Sequence, residues 1–312
     1  MTWIWLRGLG REAGHWGGLP NHAESLLNEP IITLDIPGCG RKRHQSCPLS
    51  MGPIVQELMR DVDDALVSIG NRAQAMSFQS NDAQSSSTQS RSTQSRSTQS
   101  RSTQSSEARP PSKAVAVSSS SFSSSSFKVL GLSLGGLVGL HWASVDRRVE
   151  RLVVVNSSSR LSPFYHRLRP LGAMKLLSAA LAMDKSRERR ERRILSAVSN
   201  KPHRAKQVAP LWSEIARHRP AALTQVFRQL LLAGATSVPA LDQLKHCQLT
   251  FLASRGDRLV DYRCSARLAQ FYHSTLKLHD NAGHDIPLDD PEWLLTQIAA
   301  LEVDCNSPLT GC

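Results

Sequence analysis

Five residues, Gly131-Leu132-Ser133-Leu134-Gly135, constrain this 312-residue chain more than any other stretch. They close an apolar run over 127–132 with the character of a buried strand and lead directly into a helical pattern over 135–143. A chain passes from strand to helix around one serine only by a sharp turn with strained backbone angles, so the residues two positions away must be very small. Gly131 and Gly135 meet that demand, and Gly136 and Gly139 let the helix approach the strand closely. Such a turn projects the Ser133 hydroxyl outward beside a helix N-terminus, whose dipole and free N–H groups favour developing negative charge. Without partners, Ser133 is no more than a good helix N-cap.

A hydroxyl is a weak nucleophile until a base takes its proton, and the base needs an acid to orient it. Both are expected downstream, the acid before the histidine. The apolar run 249–253 ends in Ser254-Arg255-Gly256-Asp257-Arg258-Leu259-Val260, which puts Asp257 at the carboxyl end of a strand; Asp261 is the alternative acid, with Asp257 then a turn residue. The run 275–278 ends in Asp280-Asn281-Ala282-Gly283-His284-Asp285, which presents His284 in a loop after a glycine. His273, near a helix end, and His279, at the end of the strand, are weaker rivals. Of the remaining candidates, His15-Trp16 reads as a pocket-lining pair or a surface pair at a helix start. His141 and Trp142 read as packing, and Cys247 and Cys264 as small core residues.

The wider pattern agrees with this placement. Strand-like runs at 2–6, 31–35, 127–132, 149–155, 249–253 and 275–278 alternate with helical text, including 51–69, where Ile54, Leu58, Val62 and Leu66 are spaced by four. That alternation predicts an α/β fold with a mostly parallel, doubly wound sheet. From 157 to 244 no strand is evident, and helices are expected at 171–183, 188–198 and 223–232, forming a lid over the carboxyl ends of the strands. Residues 71–127 differ abruptly, with Arg-Ser-Thr-Gln-Ser repeats from Arg91, Pro110-Pro111 and runs of serine. Their period of five fits neither helix nor strand, so a disordered insertion is expected. The resulting organisation is a core of 1–70, 128–156 and 245–304, an insertion at 71–127, a basic helical lid at 157–244 and a tail at 305–312.

Charge is concentrated rather than spread. Of the net +12, residues 160–219 carry +11 and residues 81–127 carry +3, leaving the remainder slightly negative. Most of the run from Lys185 to Arg193 reads as a solvated helix face, but a lid so charged would attract an acidic carrier protein, an anionic lipid headgroup or a carboxylate-bearing ester. Leucines 171, 176, 177 and 181 among these cations also suit an interfacial helix. No nucleic-acid partner is expected, because no aromatic-studded basic groove, zinc spacing or recognition helix accompanies the arginines. Six cysteines without a C-x-x-C pair, no basic leader at the N-terminus and no apolar run near the length of a spanning helix predict a cytoplasmic protein without a transmembrane segment.

With these residues together, the chain resembles the α/β-hydrolase superfamily of serine carboxylester hydrolases over nearly everything except 71–127. Gly-Leu-Ser-Leu-Gly-Gly resembles the nucleophile elbow, Gly-Asp-Arg-Leu-Val the acid loop, and Asn-Ala-Gly-His, followed by Asp290-Pro291-Glu292-Trp293, the histidine loop and last helix. The resemblance implies Ser133 as nucleophile, His284 as general base and acid, and Asp257 as the orienting carboxylate. Leu6-Arg7-Gly8-Leu9-Gly10 resembles the oxyanion loop, with Arg7 where histidine is common, and implies the backbone N–H groups of Leu9 and Leu134 as oxyanion donors. Asp35-Ile36-Pro37-Gly38-Cys39-Gly40 resembles the turn after the next strand. The chain starts almost at the oxyanion strand, so six parallel strands, an N-terminally shortened sheet, are expected where eight are usual. The implied activity is cleavage of a carboxylic ester through an acyl-enzyme, with no cofactor and no metal. A thioesterase or lipase-like hydrolase would share this machinery, and a non-catalytic binding protein using the basic lid is the alternative from another class.

Overall fold

The computed structural model describes residues 1–86, 125–181 and 186–306. The chain divides into two units, Met1–Asp61 with Ser125–Cys312, and Val62–Ser124. In the first, six strands form one sheet: β1 (Thr2–Leu6), β2 (Ile31–Leu34), β3 (Phe127–Leu132), β4 (Val149–Val155), β5 (Gln248–Ser254) and β6 (Thr275–His279). Every pairing is parallel and the order is β2-β1-β3-β4-β5-β6. The order reverses beside β1, so the carboxyl ends of β1 and β3 open side by side at a switch point, the place where open α/β sheets bind ligands.

Helices cover both faces, which is why the strands read as nearly continuous apolar runs. On one face Trp3, Trp5, Leu130, Leu132, Val153, Val155 and Leu252 pack on α1 (Leu19–Leu27) and α11 (Pro291–Asn306), through Leu19, Ala23, Leu294, Leu295, Ile298 and Leu301. These are alternate positions of each strand, as a pleat requires. On the other face lie α3 (Leu134–Val145) and α9 (Arg263–Phe271). There the α3 backbone comes so close that a Cβ on Gly139 would sit 2.7 Å from the Leu152 side chain.

The stretch between β4 and β5 is helical, as expected: α4 (Phe164–Arg167), α5 (Pro170–Leu181), α6 (Arg187–Val198), α7 (Pro202–His218) and α8 (Leu223–Ala235). Leu195, Ala197, Val198, Ala209 and Trp212 of α6 and α7 share a small core with Leu259, Val260 and Cys264, which follow β5. Helix α7 is not evident from sequence. Its Pro202 is a favoured N-terminal residue, but Pro210 lies inside it and breaks the pattern a reader looks for.

One expectation needs correction. Helix α2 (Met51–Ser86) runs past the expected end near 69, so residues 71–86, taken as the start of a disordered insertion, are helical. A single glycine, Gly70, is followed by Ala73, Gln74, Ala75 and Met76, strong helix formers, and no proline intervenes. The remainder of that expected insertion, up to 124, lies outside the described residues, as do 182–185 of the lid and 307–312 of the tail. The short remaining helix α10 (Ile286–Asp289) joins the histidine loop to α11.

Candidate active site

Ser133 stands between β3 and α3 with φ 57° and ψ −116°, a region that non-glycine residues avoid at a cost of about 1–3 kcal/mol. The surroundings hold it there. A Cβ on Gly131 would fall 2.4 Å from the Gly135 carbonyl oxygen, and one on Gly135 would fall 2.6 Å from the Leu6 and 2.7 Å from the Arg7 carbonyl oxygens. The Ser133 N–H donates to the Val155 carbonyl at 2.7 Å, and the Ser157 hydroxyl donates to the Ser133 carbonyl at 2.7 Å. Ser133 sits at the N-cap position of α3, but its side chain makes no capping bond. Its hydroxyl has no hydrogen-bond partner among the described residues, His284 included.

Asp257 and His284 do meet. Nδ1 of His284 lies 2.7 Å from Oδ2 of Asp257, and both side chains are almost fully buried. Oδ1 of Asp257 accepts the N–H groups of Leu259 at 2.7 Å and Val260 at 2.9 Å, which hold the carboxylate in place. Burial is the largest influence on His284 and lowers its pKa. The charge and hydrogen bond of Asp257, with Asp285 beside it, outweigh that effect and the opposing charge of Arg7, so the net shift is upward. Asn156 ties this loop to the elbow: its side chain donates to the His284 carbonyl at 2.8 Å, while its neighbour Val155 holds the Ser133 N–H.

The rival residues are otherwise engaged. Asp261 accepts the Arg263 N–H at 3.0 Å at the start of α9. His279 is held by Asp290 at 3.0 Å and accepts the N–H groups of Asn281 and Ala282. His273 takes the left-handed conformation at the end of α9. Burial pushes the Cys247 thiol up to about 12 and the Cys264 thiol up to about 11, so neither supplies thiolate near neutrality. Among the described residues no group of three or more His, Cys, Asp or Glu could hold a metal ion.

The loop after β1 lies directly against the elbow: a Cβ on Gly8 would come within 3.0 Å of the Ser133 Cβ. The Gly10 N–H is taken by the Gln229 side chain at 2.9 Å, whereas the N–H groups of Leu9 and Leu134 have no acceptor among the described residues. Arg7, in place of the common histidine, is buried and pairs through both terminal nitrogens with Asp285, the residue after His284. Its guanidinium carbon lies 4.7 Å from the centre of the Trp16 ring and 5.7 Å from that of Trp212. This clamp between the two loops was not evident from sequence, where Arg7 registered only as a departure and Asp285 as a neighbour. Gln229 and Asn156 were missed too, because single polar residues in loops and helices carry no periodic signal.

A cavity of about 420 Å³ opens beside this loop, lined by Leu9 and Gly10 and by residues of α5, α6, α7 and α8. His15 lines it and is buried against the edge of Trp212, so the surface reading of His15-Trp16 is overturned. Burial, with Arg11 and Arg7 nearby, holds His15 well below its ordinary pKa, and it stays neutral.

A family model described as the alpha/beta hydrolase family matches residues 126–297, more than half of the chain. The chain belongs to that family. Its fold is similar to that of the 2-hydroxy-6-oxo-6-phenylhexa-2,4-dienoate hydrolase of Rhodococcus sp. strain RHA1, with a TM-score of 0.61 and 16% identity over 96% of this chain and 89% of that one. A serine hydrolase from the polyaromatic-hydrocarbon-degrading bacterium Cycloclasticus zankles gives 0.60 and 14% identity over 99% and 92%. A lipase-esterase related protein of Clostridium acetobutylicum gives 0.56 and 13% identity over 96% and 93%. No curated protein is matched. At these identities the likeness is one of fold.

Proposed function

We propose that this protein is a serine hydrolase that cleaves a carboxylic ester through an acyl-enzyme, with Ser133, His284 and Asp257 as its triad. The observation that carries this reading is the 2.7 Å contact between buried His284 and Asp257, in a chain whose only serine at a strained strand-to-helix turn is Ser133 among the described residues. His284 takes the Ser133 proton as the hydroxyl attacks the carbonyl carbon and returns it to the leaving alcohol; water then attacks the acyl-enzyme with His284 as base again. The tetrahedral oxyanion is met by the N–H groups of Leu9 and Leu134, each worth about 3 kcal/mol of barrier. Their lack of any other acceptor among the described residues supports that role. Catalytic hydrogen bonds are often long before substrate binds, so the missing Ser133–His284 bond does not count against this role.

The lid over 157–244 supplies the acyl pocket, and its basic surface favours an acidic carrier or an anionic lipid headgroup as the bearer of the ester. The same groups cleave thioesters, lipid esters or C–C bonds next to a carbonyl, and similar folds carry names from both ester and dienoate hydrolysis. A non-catalytic binding protein is the reading from a different class.

The experiment is labelling with a fluorophosphonate, with the modified peptide mapped, beside turnover of a short p-nitrophenyl ester. The expected outcome is a label on Ser133 and a loss of several orders of magnitude in kcat/KM for Ser133→Ala. Equal activity in that variant would remove Ser133 as the nucleophile and favour the binding role.

A further inference from the structure

Helix α6 places charge where an amphipathic helix ordinarily places apolar groups. Arg187, Arg190, Glu191 and Ile194, spaced by three and four, form the stripe that lines the cavity beside Leu9 and Gly10. The other basic residues of α6 behave as a solvated surface does: Arg192 pairs with Glu188 one turn away, and Arg193 donates to the Ser178 carbonyl. Those that line the cavity differ. Two more arginines line the cavity and are neutralised, Arg11 by Glu191 at 2.8 Å and Arg219 by Glu12 at 2.6 Å. Arg187 donates only to the Ala216 carbonyl, and the Arg190 side chain has no partner among the described residues. Arg11 also leaves its second terminal nitrogen buried without a partner. Four guanidinium groups therefore face two carboxylates across a cavity whose remaining lining is mostly apolar, including Leu176, Ala179, Ile194, Leu223 and Val226, with the His15 imidazole among them.

We infer that this cavity binds an acyl chain ending in an anionic oxygen group, carboxylate or phosphate, with Arg187 and Arg190 holding the terminus while the carbonyl to be cleaved lies at Leu9. The inference rests on the proposed ester hydrolysis and deepens it by naming the substrate class. The volume suits a small ligand, at the lower end of the range for such pockets. The apolar wall takes the methylene stem. A guanidinium fork matches both planar and tetrahedral oxygen groups and stays charged at any working pH. Arg187 is exposed and Arg190 half-buried, so a neutral terminus leaves both to water, whereas an anionic one pairs them through charge-assisted hydrogen bonds.

The test compares three p-nitrophenyl esters of equal chain length, ending in carboxylate, in phosphate and in the neutral methyl ester, on the full chain. Wild type is expected to favour an anionic terminus by about tenfold in kcat/KM, the gain of a charge-assisted contact to a partly exposed arginine. The ratio should fall in Arg187→Gln and in Arg190→Gln and vanish in the double variant. The carboxylate and phosphate arms tell the two sources apart. Arg189→Gln/Arg192→Gln, on the outward surface, removes the same charge and should keep the ratio. Calorimetric binding of adipate and of a short alkyl phosphate to wild type and to the double variant gives a readout independent of turnover. No anionic preference in wild type, its survival in the double variant, or equal loss in the outward variant would each overturn the inference. Loss of all ester turnover, with binding of the anions still dependent on Arg187 and Arg190, would instead sink the hydrolase reading alone.

Discussion

At the scale of single residues the pair Arg7 and Asp285 matters most, because it joins two loops and flanks the imidazole. Three charged groups face His284: Asp257 and Asp285, which raise its pKa, and Arg7, which lowers it. A general base works when neutral, so kcat/KM should rise with pH through the His284 pKa, and the midpoint should lie above the ordinary imidazole value of 6.5. Arg7→Gln removes the lowering charge and should move that midpoint higher still. Asp285→Asn should move it lower, and the double variant should return it toward wild type. A pH profile of kcat/KM reads all three; equal profiles would reduce the clamp to a structural tie. Removing one partner of so buried a pair should also cost about 3 kcal/mol of stability, because the other charge is left unmatched in the interior. Urea unfolding checks this, and the double variant should recover part of the loss.

At the scale of elements the strand-to-helix junction sets the geometry, and its tolerance is small. Gly135→Ala would put a methyl group 2.6 Å from the Leu6 carbonyl, against backbone that cannot yield without moving β1. The expected result is a loss of about 3 kcal/mol of stability, read as a lower Tm, together with impaired turnover. Gly139→Ala meets the flexible tip of Leu152 instead and should cost less. This junction was legible in the sequence because glycine spacing and apolar period both report local backbone geometry. So were all six strands: the buried inner ones leave nearly unbroken apolar runs, and the half-buried edge strands β2 and β6 leave short ones bounded by turn residues. Helix α7 was not legible, because Pro210 interrupts its pattern while tertiary packing through Ala209 and Trp212 keeps it helical. The continuation of α2 was hidden by the polar composition after Gly70, which masks good helix formers. Triad candidates could be read because their loops follow strands in a fixed order. The clamp could not, because positions 7 and 285 are related only through the folded sheet.

At the scale of the whole molecule the chain separates a sheet-based unit from the Ser/Gln/Arg-rich stretch. Replacing 87–124 by a flexible Gly/Ser linker should leave Tm essentially unchanged and keep kcat/KM within about twofold, as the tolerance of long connections to length implies. A collapse of either quantity would give that stretch a part in folding or turnover. The helices over 157–244 are bound to the loop that carries His284. The Asp289 carboxylate accepts the Gly283 N–H at 2.6 Å and the Asn200 N–H at 2.7 Å, and the Asp285 N–H donates to the Val198 carbonyl at 2.9 Å. The corner between α6 and α7 is thus a fixed abutment for His284. A motion that prised the helices apart there would drag the imidazole with it, so in the proposed mechanism admission of a bulky ligand and proton transfer draw on one joint and have to take turns.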